Sequence, residues 1–209
     1  LGGIEMVAVK IDSLNFRYEN EKPIIVNAYY NFASNSIYSI SAPNGAGKTT
    51  LLRLVCKLLK PDFGAITIDP ALTIGYLPDR NGLYEELTIK ENIKFRLALY
   101  KLSYQKQKAK IEPLLEKFSL TEHQNCQVKQ LSLGMKKKTA LIATFAAEPK
   151  LIVLDEPTSG IDNSSKKGLI EFLINTSKNT TIICTSHDKE ITGNNSFRQL
   201  ILSQGKIIG

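Results

Sequence analysis

The short β-branched and aromatic run Ile37-Tyr38-Ser39-Ile40 is followed by Ala42-Pro43-Asn44-Gly45-Ala46-Gly47-Lys48-Thr49-Thr50, and then by a leucine-rich helical stretch. A glycine-rich turn that leaves a strand and opens a helix at Lys-Thr constrains this chain more than any other feature. It is the context that a phosphate-binding loop requires. Glycines let successive backbone N–H groups turn inward around a phosphate, and the helix N-terminus adds partial positive charge. In such a loop Lys48 neutralises β/γ oxygens and Thr49 offers a hydroxyl to Mg²⁺. The first position of the loop consensus is normally Gly and is Ala42 here; a methyl group is tolerable where φ is negative. The competing reading is a chance glycine-rich turn.

A partner element stands about a hundred residues on. Leu151-Ile152-Val153-Leu154 is a continuous apolar run, the mark of a strand buried on both faces, and it ends in Asp155-Glu156. A carboxylate at the end of a buried strand is costly to desolvate unless something cationic meets it. Asp155 would meet Mg²⁺ and Glu156 would accept a proton from an attacking water. Taken alone, the same residues could be a strand that ends in a solvated acidic turn.

Periodicity supplies the frame. Val7 to Ile11, Ile24 to Val26, Ala28 to Phe32 and Ile37 to Ile40 read as short strands, a partly antiparallel start. Leu51, Leu52, Leu54, Val55, Leu58 and Leu59 fall on one helical face, which Pro61-Asp62-Phe63-Gly64 should stop. A strand pair is expected at 65–68 and 73–77, a basic helical region from Thr88 to Lys129 with Pro113 as a start or kink, and a further helix over 133–147. Thr181-Ile182-Ile183-Cys184 is a second buried strand, and a helix near 165–174 completes a βαβ unit. The fold class expected is α/β: a P-loop core with a mainly parallel sheet, an N-terminal antiparallel β subdomain and an inserted α-helical subdomain over 88–147. The 6–209 span is expected to form a single domain, with Met6 expected as the native start behind a cloning remnant over 1–5 and no regulatory domain expected after the last strand pair.

The 209 residues are 43% apolar and 22% charged, which excludes wholesale disorder. No stretch approaches about 20 consecutive apolar residues, so no membrane-spanning helix is expected. Cys56, Cys126 and Cys184 are scattered without metal-ligand spacing and read as free thiols of a reducing cytoplasm. The net charge of +7 is local: between Ile89 and Lys138 there are 12 basic and 4 acidic residues, a net of +8, while the rest carries 15 against 16. Solvated helix faces, anionic lipid or a phosphate ligand could each account for that run. Its aromatics, Phe95, Tyr100, Tyr104 and Phe118, are sparse and suit helix packing better than base stacking, so no nucleic acid is expected.

With these motifs in place the chain resembles the ATP-binding cassette (ABC) family over nearly its whole length. Leu154-Asp155-Glu156-Pro157-Thr158-Ser159-Gly160-Ile161-Asp162 is similar to that family's strand-end carboxylates and following D-loop, and Thr185-Ser186-His187-Asp188 to its switch histidine. Leu131-Ser132-Leu133-Gly134-Met135-Lys136 stands where the family has Leu-Ser-Gly-Gly-Gln; Ser132 and Gly134 are kept, Leu133 and Met135 depart. As a plain helix start, Ser132 is also a competent N-cap. The Ser-Leu-Gly-Met-Lys spelling resembles a branch of bacterial exporter ATPases. Tyr18 resembles the aromatic that stacks on adenine, with Phe16 the other candidate, and Ile74-Gly75-Tyr76-Leu77-Pro78-Asp79 resembles the loop that ends in Gln in most members. A carboxylate there would meet Mg²⁺ in place of an amide.

The resemblance implies catalytic roles for Lys48, Glu156 and His187, metal contacts from Thr49, Asp79 and Asp155, and nucleotide contacts from Tyr18, residues 42–50, Ser132, Gly134, Asp155 and Asp162. Its cofactors are ATP and Mg²⁺. One loop and one signature per chain imply a second cassette, as a homodimer, on a separately encoded transmembrane subunit at the cytoplasmic face of the membrane. DNA-maintenance relatives insert long coiled coils between the loop and the signature, and translation factors carry two cassettes; neither fits. The alternative is a soluble single-cassette ATPase of iron–sulfur cluster assembly.

Overall fold

A computed structural model of the chain describes residues 6–19 and 21–209, so the proposed remnant over 1–5 lies outside the described residues. Three strands, β1 (Val7–Phe16), β2 (Ile25–Ala33) and β4 (Phe63–Ile68), form an antiparallel sheet in the order β2-β1-β4. The large sheet runs β5-β6-β7-β3-β8-β9, from β5 (Ile74–Leu77), β6 (Leu151–Leu154), β7 (Thr181–Thr185), β3 (Ile37–Ser41), β8 (Arg198–Ser203) and β9 (Lys206–Ile208). Its first five strands are parallel and β9 alone turns back against β8. This is the α/β fold with an antiparallel N-terminal sheet that the periodicity predicts.

Helices α1 (Lys48–Val55), α2 (Ile89–Leu99), α3 (Tyr104–Lys117), α4 (Leu133–Phe145), α5 (Asn163–Ser177) and α6 (Lys189–Thr192) complete the chain. Apolar side chains leave both faces of the large sheet, which is why β6 has no polar alternation. Leu151 and Val153 join α1, β1 and β2 in one core, while Ile152 and Leu154 join α2 to α5 in the other. α4 is buried nearly all round at Ala140, Leu141, Ile142 and Ala143, because it lies between β5 and α2.

Several local readings change. The strand pair expected after α1 does not exist: β4 joins the small sheet beside β1 and β5 the large one. The runs 24–26 and 28–32 are one strand, β2, carried through Asn27 in a left-handed conformation whose N–H donates to Asn15 Oδ1. α1 stops at Val55, before the Pro61 to Gly64 turn. Lys57 takes φ 57, its N–H donates to Leu54 and that of Leu58 donates to Arg53, a helix-ending pair that turns Leu58 out to 60% exposure. Pro113 neither starts nor ends a helix; it sits inside α3 on its exposed side, where the Ala109 carbonyl it leaves without an amide partner is open to water.

Candidate functional site

The β3–α1 loop turns at Gly45 and Gly47, both at positive φ. At Gly47, with φ 99, a Cβ would also run into the Ile24 side chain, so any other residue would be strained there. α1 begins directly at Lys48 and has no side-chain cap, whereas Thr88, Ser103, Ser132, Asp162 and Asp188 cap the other α-helices. The first-turn amides of α1 are therefore left for an anion. They open on a cleft of about 1070 Å³ lined by Asn44, Gly45, Gly47, Lys48, Thr49 and Thr50 on one side and by Asp155, Glu156 and His187 on another.

Lys48 is buried and its ammonium donates to Ala42 O at 2.9 Å, to Pro43 O at 3.4 Å and to His187 Nε2 at 2.8 Å. An ammonium only donates, so Nε2 accepts and the ring proton is on Nδ1. Ala42 thus serves through its carbonyl, and Ala46 closes the loop by donating its N–H to Pro43 O. Asp155 is 1% exposed; Thr49 Oγ1 donates to one oxygen at 2.6 Å and Thr185 Oγ1 to the other at 2.7 Å. The buried carboxylate is met by two hydroxyls, with no cation in direct contact among the described residues. A hydroxyl and a carboxylate side by side are hard oxygen donors, the set Mg²⁺ takes alongside phosphate.

Glu156 holds a left-handed φ of 48 while its N–H donates to Thr185 Oγ1. One carboxylate oxygen accepts the His187 N–H at 3.3 Å; the other is buried without a partner and lies 3.6 Å from His187 Nε2. An unusual backbone angle and an unpartnered buried oxygen together mark a residue shaped by something other than folding.

Tyr18 lines the cleft, its hydroxyl 3.4 Å from Thr50 Oγ1, while Phe16 packs edge-on behind it and is buried. Between the two aromatics, Tyr18 is the one presented. Asp79 also lines the cleft. Ser132, Gly134 and Asp162 do not. Ser132 is exposed as the N-cap of α4 and accepts from Met135 N. Gly134 lies against the D-loop so closely that a Cβ would meet Gly160 O at 2.9 Å. Asp162 caps α5, and hydrogen bonds from the Ser164 hydroxyl and the Ser165 amide hold its carboxyl well below the usual range. Sequence reasoning missed Thr185, which ties Asp155 to Glu156, and Lys137, a lysine 2% exposed inside α4. A threonine at the end of an apolar strand was the only available signal for the first; the basic run hid the second.

This fold and this cleft define a P-loop nucleotide-binding cassette. A family model described as ABC transporter matches residues 26–159, and the chain belongs to that family. It is 33% identical over 189 residues to the ABC transporter ATP-binding protein NatA of Bacillus subtilis, covering 83% of this chain and 77% of that one. It is 34% identical over 194 residues to the zinc import ATP-binding protein ZnuC of Buchnera aphidicola, covering 91% and 78%. To the probable multidrug ABC transporter ATP-binding protein YbhF of Escherichia coli it is 35% identical over 172 residues, 77% of this chain but only 30% of that longer one. A dimeric ATP-binding cassette solved in a post-hydrolysis state with ADP and Pi shares the fold at TM-score 0.84, with 23% identity, covering 96% and 97%. The chain is an ATP-binding subunit of the ABC transporter class and an ATP hydrolase.

Proposed function

We propose that two copies of this chain hydrolyse ATP at their shared interface and drive transport, in the export direction, through a separately encoded membrane subunit. The observation that carries the reading is the division of the motifs. Loop, carboxylates and His187 share one cleft, while Ser132, Gly134 and Asp162 lie outside it on the same chain. A facing copy would bring its own exposed Ser132 and the N-terminus of α4 to the open side of the cleft, and so complete each site.

Within that site the α1 amides and Lys48 bind the phosphates, with Lys48 exchanging His187 for phosphate oxygen, and Tyr18 supplies a ring for adenine. Thr49, Asp155 and Asp79 would hold Mg²⁺, which when bound would supply charge neutralisation for the phosphates. Glu156 takes the proton of the attacking water on its unpartnered oxygen, and His187, whose backbone N–H donates to the other Glu156 oxygen, stands beside it.

The helical segment 88–147, taken as the inserted subdomain, faces the membrane subunit. Support comes from its +8 charge and from a groove of about 430 Å³ with Tyr84, Phe95 and Leu99 exposed beside it. No helix among the described residues is long and apolar enough to cross a membrane, so attachment to the cytoplasmic face would be peripheral. Export rests on the Ser132 to Lys136 spelling; relatives whose names print import and multidrug transport make direction a matter for assay. Coexpression with the neighbouring membrane-protein gene is expected to move the chain into the membrane fraction, with high salt weakening the association but not abolishing it. Tight, salt-sensitive nucleic-acid binding without recruitment would overturn the reading. Copurification with soluble scaffold proteins would favour iron–sulfur assembly instead.

A further inference from the structure

Three successive lysines of α4 do three different things. Lys136 reaches Glu85 at 2.8 Å, and Lys138 reaches Ser165 at 2.7 Å and Asp162 at 3.4 Å. Lys137, between them, turns inward: it is 2% exposed, and its Nζ donates to the backbone carbonyl of Asp79 at 3.1 Å. The turn it reaches has a fixed shape, with Asn81 buried at φ 64, Asn81 N–H donating to Pro78 O and Gly82 N–H to Arg80 O. Burial holds the Lys137 pKa below the ordinary lysine value, while Asp79, Asp155 and Glu156 act in the opposite sense. An ammonium in so dry a place is unfavourable unless an acceptor and opposite charge compensate it.

We propose that Lys137 is a positioning residue of the nucleotide site: it pins the 78–82 turn, and with it the Asp79 carboxylate, at the edge of the cleft. The inference rests on the ATP-hydrolase reading for its kinetic consequence but not for the tether. It also makes α4, which begins at the exposed Ser132, a rigid link between that terminus and the chain's own cleft.

The test compares wild type, Lys137→Met and Lys137→Arg. In nucleotide-free protein, amide hydrogen exchange over 78–82 is expected to be at least fivefold faster in Lys137→Met than in wild type, with β6 and β7 unchanged. The same variant should lose at least tenfold in kcat while KM for ATP moves less than threefold, and Lys137→Arg should recover most of both effects. The tether is overturned if exchange over 78–82 is unchanged in Lys137→Met. It is also overturned if exchange rises across the whole chain and Lys137→Arg fails equally, since the side chain then only fills space. Normal kcat beside faster exchange overturns the catalytic consequence. A wild-type protein without ATPase activity would count against the hydrolase reading, and the exchange arm would still decide the tether.

Discussion

Lys48 carries the strongest residue-level expectation. Its ammonium already holds the loop carbonyls of Ala42 and Pro43 and the ring of His187, so the cation stands ready at the mouth of the α1 N-terminus. Lys48→Ala is expected to remove most ATP affinity by calorimetry, and unchanged binding would refute the loop assignment. Asp79→Asn keeps size and shape and removes one charge from the cleft that Thr49 and Asp155 also line. It is expected to raise the Mg²⁺ concentration for half-maximal activity, and an identical Mg²⁺ titration would leave Asp79 with a role in loop shape only. At this scale the sequence was readable where chemistry is local. Residues 42–50 declare themselves because consecutive amides, a lysine and a threonine act within one turn, and Asp155-Glu156 because a charge ends an apolar strand. Thr185 and Lys137 were unreadable because each acts on a residue far away in the chain, Asp155 and Asp79, that only folding brings near.

Among the elements, α2 shows how the helical segment is pinned to the core. Thr88 and Glu91 form a reciprocal cap, and Asn92, 4% exposed, accepts from Tyr84 N–H and donates to the carbonyls of Tyr84, Leu87 and Thr88. Asn92→Ala would leave the Tyr84 N–H without its partner and remove the side-chain donor from three carbonyls that each still accept a backbone N–H, a loss of about 1 to 2 kcal/mol in urea unfolding. A cost below about 0.5 kcal/mol would mean that water replaces the side chain. α4 and the D-loop behave as one piece, since Gly134 touches Gly160 and Lys138 touches Asp162 and Ser165. Helix and strand identities followed from apolar period, but two features did not. The early stop of α1 depends on Lys57 adopting a left-handed angle, which composition does not signal. The separation of β4 from β5 is a matter of which sheet has a free edge, and β1 offers one to β4.

For the whole molecule, part of the basic excess of the helical segment is held in ion pairs. Lys129, Lys136 and Lys138 are each matched to an acidic partner, Glu86, Glu85 and Asp162. Exposed pairs of this kind add little stability. The architecture was legible from order alone: a strand, a phosphate loop, a helical stretch, then a carboxylate strand and a histidine strand. The proposed complete site needs a second chain, because Ser132 and Gly134 do not line the cleft of their own chain. The central claim is that two chains share each ATP, and Glu156→Gln tests it most directly. An amide cannot take the water's proton, which typically costs about 10²- to 10⁴-fold in rate, so bound ATP should persist. On a sizing column with Mg²⁺ and ATP this variant is predicted to elute as a dimer, and as a monomer without nucleotide. A variant that binds ATP yet remains a monomer would contradict the account.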